Sequence, residues 1–423
     1  MPPSIVKLDK TGVLKIDGKQ VFPIGFSNPP PIGSKAPTDK PGLQELKDAG
    51  GTFVRTGIEG WSEPQSAAQI AEVKKMFAEA GKYGMHCWLW LGKTPSNLPK
   101  QPDGTPPSVN ERLLKTIVDA FKGDGALLGY KGYDEPLHSG MAAPNLVLAH
   151  DKLKTFDPDH PLVLIQAPVH AVVDLKKYVK AFDVTGADIF PIANPPANHA
   201  NSSNKDISVV GDVTRKMVRA SGGKPVWMTL QIAWSHTPYP KNVPCFPTLH
   251  EERFMVYQAI VAGARGLTFF GGHMTQVCTP HDALSGWNWT FWRQVLKWIV
   301  QELSSDELEP ALLAPSEPPA VKASTVGKAK TDIELVSRRK GGFLYVIAVK
   351  RGPGADEVAF SGLPRKRDGT AIKNGEVLFE HVQIPVGKNA PSHSQKFRPV
   401  KVTTGGFRDR FLKHDVHVYR FAI

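Results

Sequence analysis

The chain has 423 residues, 41% of them hydrophobic and 22% charged, an ordinary globular composition that is too long for one small domain. No apolar run reaches the about 18 residues of a membrane-spanning helix, and the three cysteines exclude a disulfide-dense scaffold. A net charge of +12 would help attract polyanions, but the lysines and arginines are scattered, so neither nucleic acid nor a membrane surface is an expected partner.

The opening residues, MPPSIVKLDKTG, lack the apolar segment of a secretion signal. The expectation is a cytoplasmic protein, or a secreted or periplasmic one whose leader has been removed. Residues 5–22 alternate around Thr11-Gly12 and Asp17-Gly18, which predicts short antiparallel strands, with 1–21 forming a β-hairpin that caps one end of the adjoining domain.

From Phe22 the pattern becomes strand, loop, amphipathic helix, strand. Strands are predicted at 22–27, 52–58, 85–91, 127–134, 161–167, 183–192, 225–232 and 266–270. Helical stretches between them include 42–49, 67–83, 110–121, 144–155 and 248–264. Strands alternating with helices build a parallel sheet, and eight such units suit a closed (β/α)8 TIM barrel over 22–303 better than an open sheet. Active sites of that fold lie at the carboxyl ends of the strands. The loops at that end, 27–42, 92–109, 193–206, 235–248 and 271–290, are the long ones rich in Pro, Asn, His and Trp. A helix over 287–303 ends the barrel, and 304–322 reads as a linker. Beyond it, 323–423 has period two with no helices, which predicts a small antiparallel β-sandwich.

The most informative stretch is LLGYKGYDEP, residues 127–136. A buried strand ends in adjacent carboxylates, Asp134 and Glu135, and proline stops it. Two acids side by side push at least one pKa upward, which is how a proton donor is kept near neutral pH; a solvated turn is the alternative reading. Aromatics are dense near the same end, with Trp61, Trp90, Tyr133, Trp234, Tyr239, Phe270, Trp287 and Trp289, and stacking planes beside polar groups suit a sugar cleft. Trp88 and Trp227, in mid-strand, read as core. His86, His138, His236, His273 and His281 are candidate hydroxyl partners.

Taken together, GVLKIDGKQVFPIGF, FVRTG, GYDEP, DIFPI, PVWMTLQIAW, QAIVAGARGLTFFG and the ending FRDRFLKHDVHVYRF resemble the retaining (β/α)8 glycoside hydrolases of clan A, many of which carry a C-terminal β-sandwich. The resemblance implies a glycosidase acting on an oligo- or polysaccharide. It places Glu135 as general acid/base and Arg55 at the end of the second strand, orienting the nucleophile. The family's Asn before the acid is Asp134 here, and its nucleophilic Glu on the seventh strand falls on Gln231, a neutral amide that cannot attack an anomeric carbon.

Three readings are open. Another carboxylate, Glu59, Asp134 or Asp188, serves as base on a water with inversion. Alternatively, the substrate's own acetamido group attacks, with Asp134 or Glu135 assisting. Finally, the site only binds sugar. Expected substrate contacts are Arg55, Trp61, Trp90, Tyr133, Gln231, Trp234, Phe270 and His273, and net charge alone adds a preference for an acidic glycan.

Other chemistries lack their motifs. His250-Glu251-Glu252 begins like a zinc-protease helix, but the second histidine position holds Phe254. No phosphate-binding glycine loop or Gly-x-Ser-x-Gly elbow is present. No cofactor and no catalytic metal are expected. Cys245 and Cys278, in loops after consecutive strands, form one disulfide or remain two thiols.

Overall fold

The computed structural model describes residues 2–194, 200–234, 244–275, 279–317, 321–384 and 392–423. The chain divides into two compact units, Met1–Glu252 with Ala262–Ser304, and Arg253–Val261 with Ser305–Ile423.

Three short antiparallel strands open the first unit: β1 (Val6–Leu8), β2 (Leu14–Ile16) and β3 (Lys19–Val21). The β2–β3 turn is Asp17-Gly18, both at positive φ (50° and 81°), the two-residue geometry whose twist matches a hairpin. Eight parallel strands come next: β4 (Ile24–Phe26), β5 (Phe53–Gly57), β6 (His86–Trp90), β7 (Leu127–Lys131), β8 (Leu162–Gln166), β9 (Val184–Ala187), β10 (Trp227–Gln231) and β11 (Gly266–Phe270). They pair in chain order, and β11 returns to β4. Backbone bridges Thr185–Val226 and Asp188–Thr229 join β9 to β10, so the predicted barrel is observed. That last seam needs Gly186, because a Cβ there would lie 1.6 Å from the Trp227 carbonyl oxygen.

The barrel interior is layered. Its lower layer packs Phe53, Trp88, Leu128, Val163, Ile165, Val184 and Trp227 together with Val6 and Leu14 of the opening strands. Phe53 meets Trp88 and Trp227 at 5.8 Å each. The opening sheet therefore plugs the amino end of the barrel, anchored by hydrogen bonds from Val6 N–H to the Asp159 carbonyl (3.0 Å) and Ser4 Oγ to the Leu127 carbonyl (3.0 Å). Burying each of these aromatic side chains stabilises the fold by about 1.5–3 kcal/mol.

Outer helices include α1 (Gly42–Asp48), α2 (Ser66–Lys82), α3 (Val109–Phe121), α4 (Ala143–Phe156), α5 (Val172–Leu175) and α6 (Val209–Ala220). The closing helix runs from Trp289 to Leu303 with a π-helical turn at Trp292–Leu296. Buried Glu45 of α1 accepts from the Trp292 indole (3.2 Å) and Lys297 (2.8 Å), which ties that helix to the start of the barrel.

The second unit holds a three-stranded and a five-stranded antiparallel sheet. The first pairs β12 (Lys322–Thr325), β15 (Asp356–Ser361) and β18 (Phe407–Phe411). The second runs β13 (Ile333–Lys340), β14 (Phe343–Lys350), β19 (Val416–Ala422), β16 (Asn374–Ile384), β17 (Ser392–Lys401). Val346, Val358, Phe360, Phe407, Tyr419 and Phe421 share one core, with Phe360 stacked on Phe407 at 4.5 Å, as in a β-sandwich. Residues 304–322, expected as a linker, carry a short helix, Glu309–Leu313, whose Ala311 and Leu312 carbonyls accept from Arg338 (3.1 and 2.8 Å).

Candidate active site

Alternation along β5 and β6 puts Arg55 above Phe53 and Trp90 above Trp88, one layer nearer the carboxyl end of the barrel. Cross-strand register pairs Trp90 with Lys131 at the end of β7. The Arg55 Cζ lies 4.7 Å from the centroid of the Trp90 ring, and Lys131 Nζ lies 4.9 Å from it. Two cations thus share one indole, each contact being worth roughly 0.5–2 kcal/mol. Arg55 is oriented by its Nε, which donates to the Ser27 carbonyl (2.9 Å).

Lys131 is 3% exposed and forms an ion pair with Asp134. Burial pushes its pKa down, the Asp134 charge opposes that, and Arg55 pushes it down further. Arg55 is likewise lowered by burial and supported by Asp134, Asp188 and Glu59. Cations drawn out of water are stable only when acids compensate them, and for buried Lys131 and half-buried Arg55 the acids come from the ends of three different strands. Lys131 is not among the site residues that the sequence pattern singles out. Its signal is a lysine inside an otherwise apolar strand, GYKGYD.

The carboxylates differ in setting. The Asp134 side chain is 43% exposed beyond its pair with Lys131. Glu135 is half-buried, and its backbone is left-handed at φ 45°, a conformation that costs a non-glycine residue about 1–3 kcal/mol and tends to be retained at functional sites. Its N–H donates to the Ile165 carbonyl (3.0 Å), which holds that strained turn against β8, and its carbonyl accepts from Ser139 N–H (3.1 Å) in the following loop. Asp188 is half-buried just past β9. Glu59 is exposed and paired with Lys93 (2.8 Å).

An aromatic wall adjoins these charges. Phe190 stacks on Phe270 (5.2 Å) and contacts Trp234 (4.9 Å), and His273 meets Phe270 edge-on (5.5 Å). Burial, then the Arg55 charge, lower the His273 pKa, which places that ring in the field of the same arginine. Phe190 is a further residue that the sequence pattern does not single out, although it lies two residues after Asp188.

Three expected contact residues are buried. Trp61 is 2% exposed and donates its indole N–H to the Trp90 carbonyl (2.9 Å), so it braces Trp90 from behind. Tyr133 packs with Leu146, Leu164, Tyr178 and Phe182. Gln231 is fully buried: its Nε2 donates to the carbonyls of Ile192 (2.5 Å) and Cys245 (3.0 Å), and its Oε1 accepts from Ile192 N–H (3.1 Å). Among the described residues no group of three or more His, Cys, Asp or Glu is placed to hold a metal ion, and no helix is long and apolar enough to cross a membrane. Tyr239, His236 and Cys278, and with it the choice between a Cys245–Cys278 disulfide and two thiols, lie outside the described residues.

No family model matches the chain, and no curated protein sequence matches it. Solved structures match in fold. A glycoside hydrolase is 11% identical with a TM-score of 0.60, the match covering 100% of this chain and 98% of that one. A family 5 glycoside hydrolase from Bacteroides vulgatus is 10% identical with a TM-score of 0.58, covering 99% and 93%. An α-amylase from Geobacillus thermoleovorans, complexed with acarbose, is 11% identical with a TM-score of 0.51, covering 90% of each chain. These structural neighbours are glycoside hydrolases, and what the chain shares with them is the fold.

Proposed function

We propose that the protein is a glycoside hydrolase that cleaves a glycosidic bond in an oligo- or polysaccharide. The observation that carries this reading is the arrangement at the carboxyl end of the barrel, where Asp134, Asp188 and Glu59 act on a half-buried Arg55 and an aromatic wall stands beside them. Glu135 is the general acid that protonates the leaving oxygen. Asp188, two strands round the barrel, is the base that activates water, with inversion at a carboxyl separation of about 6.5–9.5 Å. Lys131 holds Asp134 in an ion pair, and Asp134 tunes Glu135 or holds a hydroxyl. Glu59 ranks behind Asp188 because Lys93 engages it in water. Phe270 and Trp234, backed by buried Phe190, offer faces for sugar C–H groups, while Arg55 and His273 take hydroxyls. Gln231 acts indirectly, by fixing the loop after β9. Buried Lys131 and half-buried Arg55 are already balanced by acids, which favours a neutral over an acidic glycan.

The test is product release from a panel of neutral and uronic-acid-containing glycans, together with the anomeric configuration of the first product. Release with inverted configuration supports the reading. Binding without release supports the second reading, a non-catalytic carbohydrate-binding barrel, which the full engagement of the Gln231 carboxamide with backbone favours.

A further inference from the structure

The five-stranded sheet of the second unit sends Leu344, Val346, Val377, Val400, Tyr419 and Phe421 into the sandwich core. Alternation puts Phe343, Asn374, Glu376 and Arg420 on its other face, where with Phe397 and Pro399 they line an open groove of about 350 Å³. Phe397 is 45% exposed, an unusual place for a large apolar ring. It does not swing loosely, because the Phe379 ring braces it edge-on at 5.6 Å.

The polar part of the groove is equally ordered. Arg420 Cζ lies 5.2 Å from the Phe343 ring and 5.9 Å from the Phe397 ring. Its Nε and Nη2 both hold Glu376 Oε1, at 2.7 and 2.6 Å. A guanidinium plane is thereby fixed between two phenyl rings with its charge neutralised by a neighbour, and exposed Asn374 adds an amide at the edge. Arg398, the other arginine of the lining, is paired with Glu380 (2.6 Å) and Asp409 (2.7 Å), so both guanidinium groups have carboxylate partners and the surface presents an apolar face and planar donors with its charges paired. It suits a ligand with a C–H face and peripheral hydroxyls, and it offers little to an anion.

We propose that this groove is a second carbohydrate-binding site, for a neutral glycan chain. Its volume is at the small end of the about 300–1,000 Å³ of ligand sites, a fit for a short stretch of sugar units. The ligand class rests on the glycoside-hydrolase reading of the barrel, whereas the site itself rests on the groove's own geometry.

The experiment is affinity electrophoresis of the full chain in native gels cast with xylan, mixed-linkage β-glucan or starch. It uses protein carrying Glu135→Gln, with and without Phe397→Ala or Phe397→Trp. At least one matrix should retard the parent, Phe397→Ala should weaken that retardation about tenfold, and Phe397→Trp should preserve it. In the otherwise unmodified chain, Phe397→Ala should leave turnover of short soluble oligosaccharides unchanged. Equal retardation with and without the ring, or no retardation by any matrix, overturns the site. A Phe397-dependent dimer in sedimentation that glycan does not shift also overturns it, because the ring then serves a second copy of the chain. Turnover without Phe397-dependent retardation removes this site and spares the barrel reading; Phe397-dependent retardation without turnover does the reverse.

Discussion

Gln231 and Ile192 hold each other at both ends of one carboxamide: the Ile192 N–H reaches Oε1 at 3.1 Å and the Ile192 carbonyl receives Nε2 at 2.5 Å. The same Nε2 also donates to the Cys245 carbonyl, so this fully buried side chain joins the end of β10 to two loops. Gln231→Glu would turn a donor into an acceptor facing two carbonyls. We expect it to destabilise the fold by about 2–4 kcal/mol, read as a lower urea midpoint, and to leave any glycosidase rate no higher than before. A stable Gln231→Glu variant with raised turnover would show that this position is open to substrate.

Lys131→Met keeps a long apolar stem in contact with Trp90 and removes a buried charge, while the half-exposed Asp134 keeps its interaction with Arg55. Stability should therefore change by less than about 1.5 kcal/mol, whereas turnover should fall at least about tenfold because Asp134 loses the buried ammonium that orients it. Unfolding curves and steady-state rates on the same preparation separate the two effects.

His86 gives the fold an acid-sensitive point at the amino end of β6. Burial, then repulsion from Lys47, lowers its pKa from the ordinary 6.5 to about 4, with Asp17 opposing and His160 adding a little. A folded-state pKa below the unfolded one means that the unfolded chain takes up the proton first. The contribution is whole above pH 6.5 and is lost as pH falls towards 4, amounting to about 2–3 kcal/mol. Urea midpoints between pH 7 and pH 4 should fall less steeply for His86→Asn than for the unmodified protein.

Gly186→Ala should cost at least about 2 kcal/mol, because its methyl would strike the Trp227 carbonyl where β9 meets β10 and only a backbone shift relieves it. Thermal unfolding measures this directly; a variant as stable as the parent would mean that the seam opens freely.

The barrel strands are legible because each is a short apolar run set off by loop residues, and the sandwich because FLYVIAVK and VHVYRFA alternate with period two. Asp17-Gly18 announces its turn by residue type alone. The site is legible only in part, since position past a strand end does not say which way a side chain turns. Trp61 and Gln231 both lie near strand ends, yet the indole of one and the amide of the other are taken up by backbone atoms 29 and 39 residues away. No local pattern carries such pairings. Lys131 shows the converse: a charge within a buried strand is visible in the sequence, but its ring and acid partners are known only when β6 and β7 are laid side by side.

The central claim is that Glu135, on its left-handed turn after β7, delivers the proton. The measurement is kcat/KM of Glu135→Gln on whichever glycan the parent cleaves, with circular dichroism and the urea midpoint as controls for the fold. We expect a loss of at least about 10²-fold with both controls unchanged. Turnover equal to that of the parent would contradict the assignment and move the acid to Asp134 or Asp188.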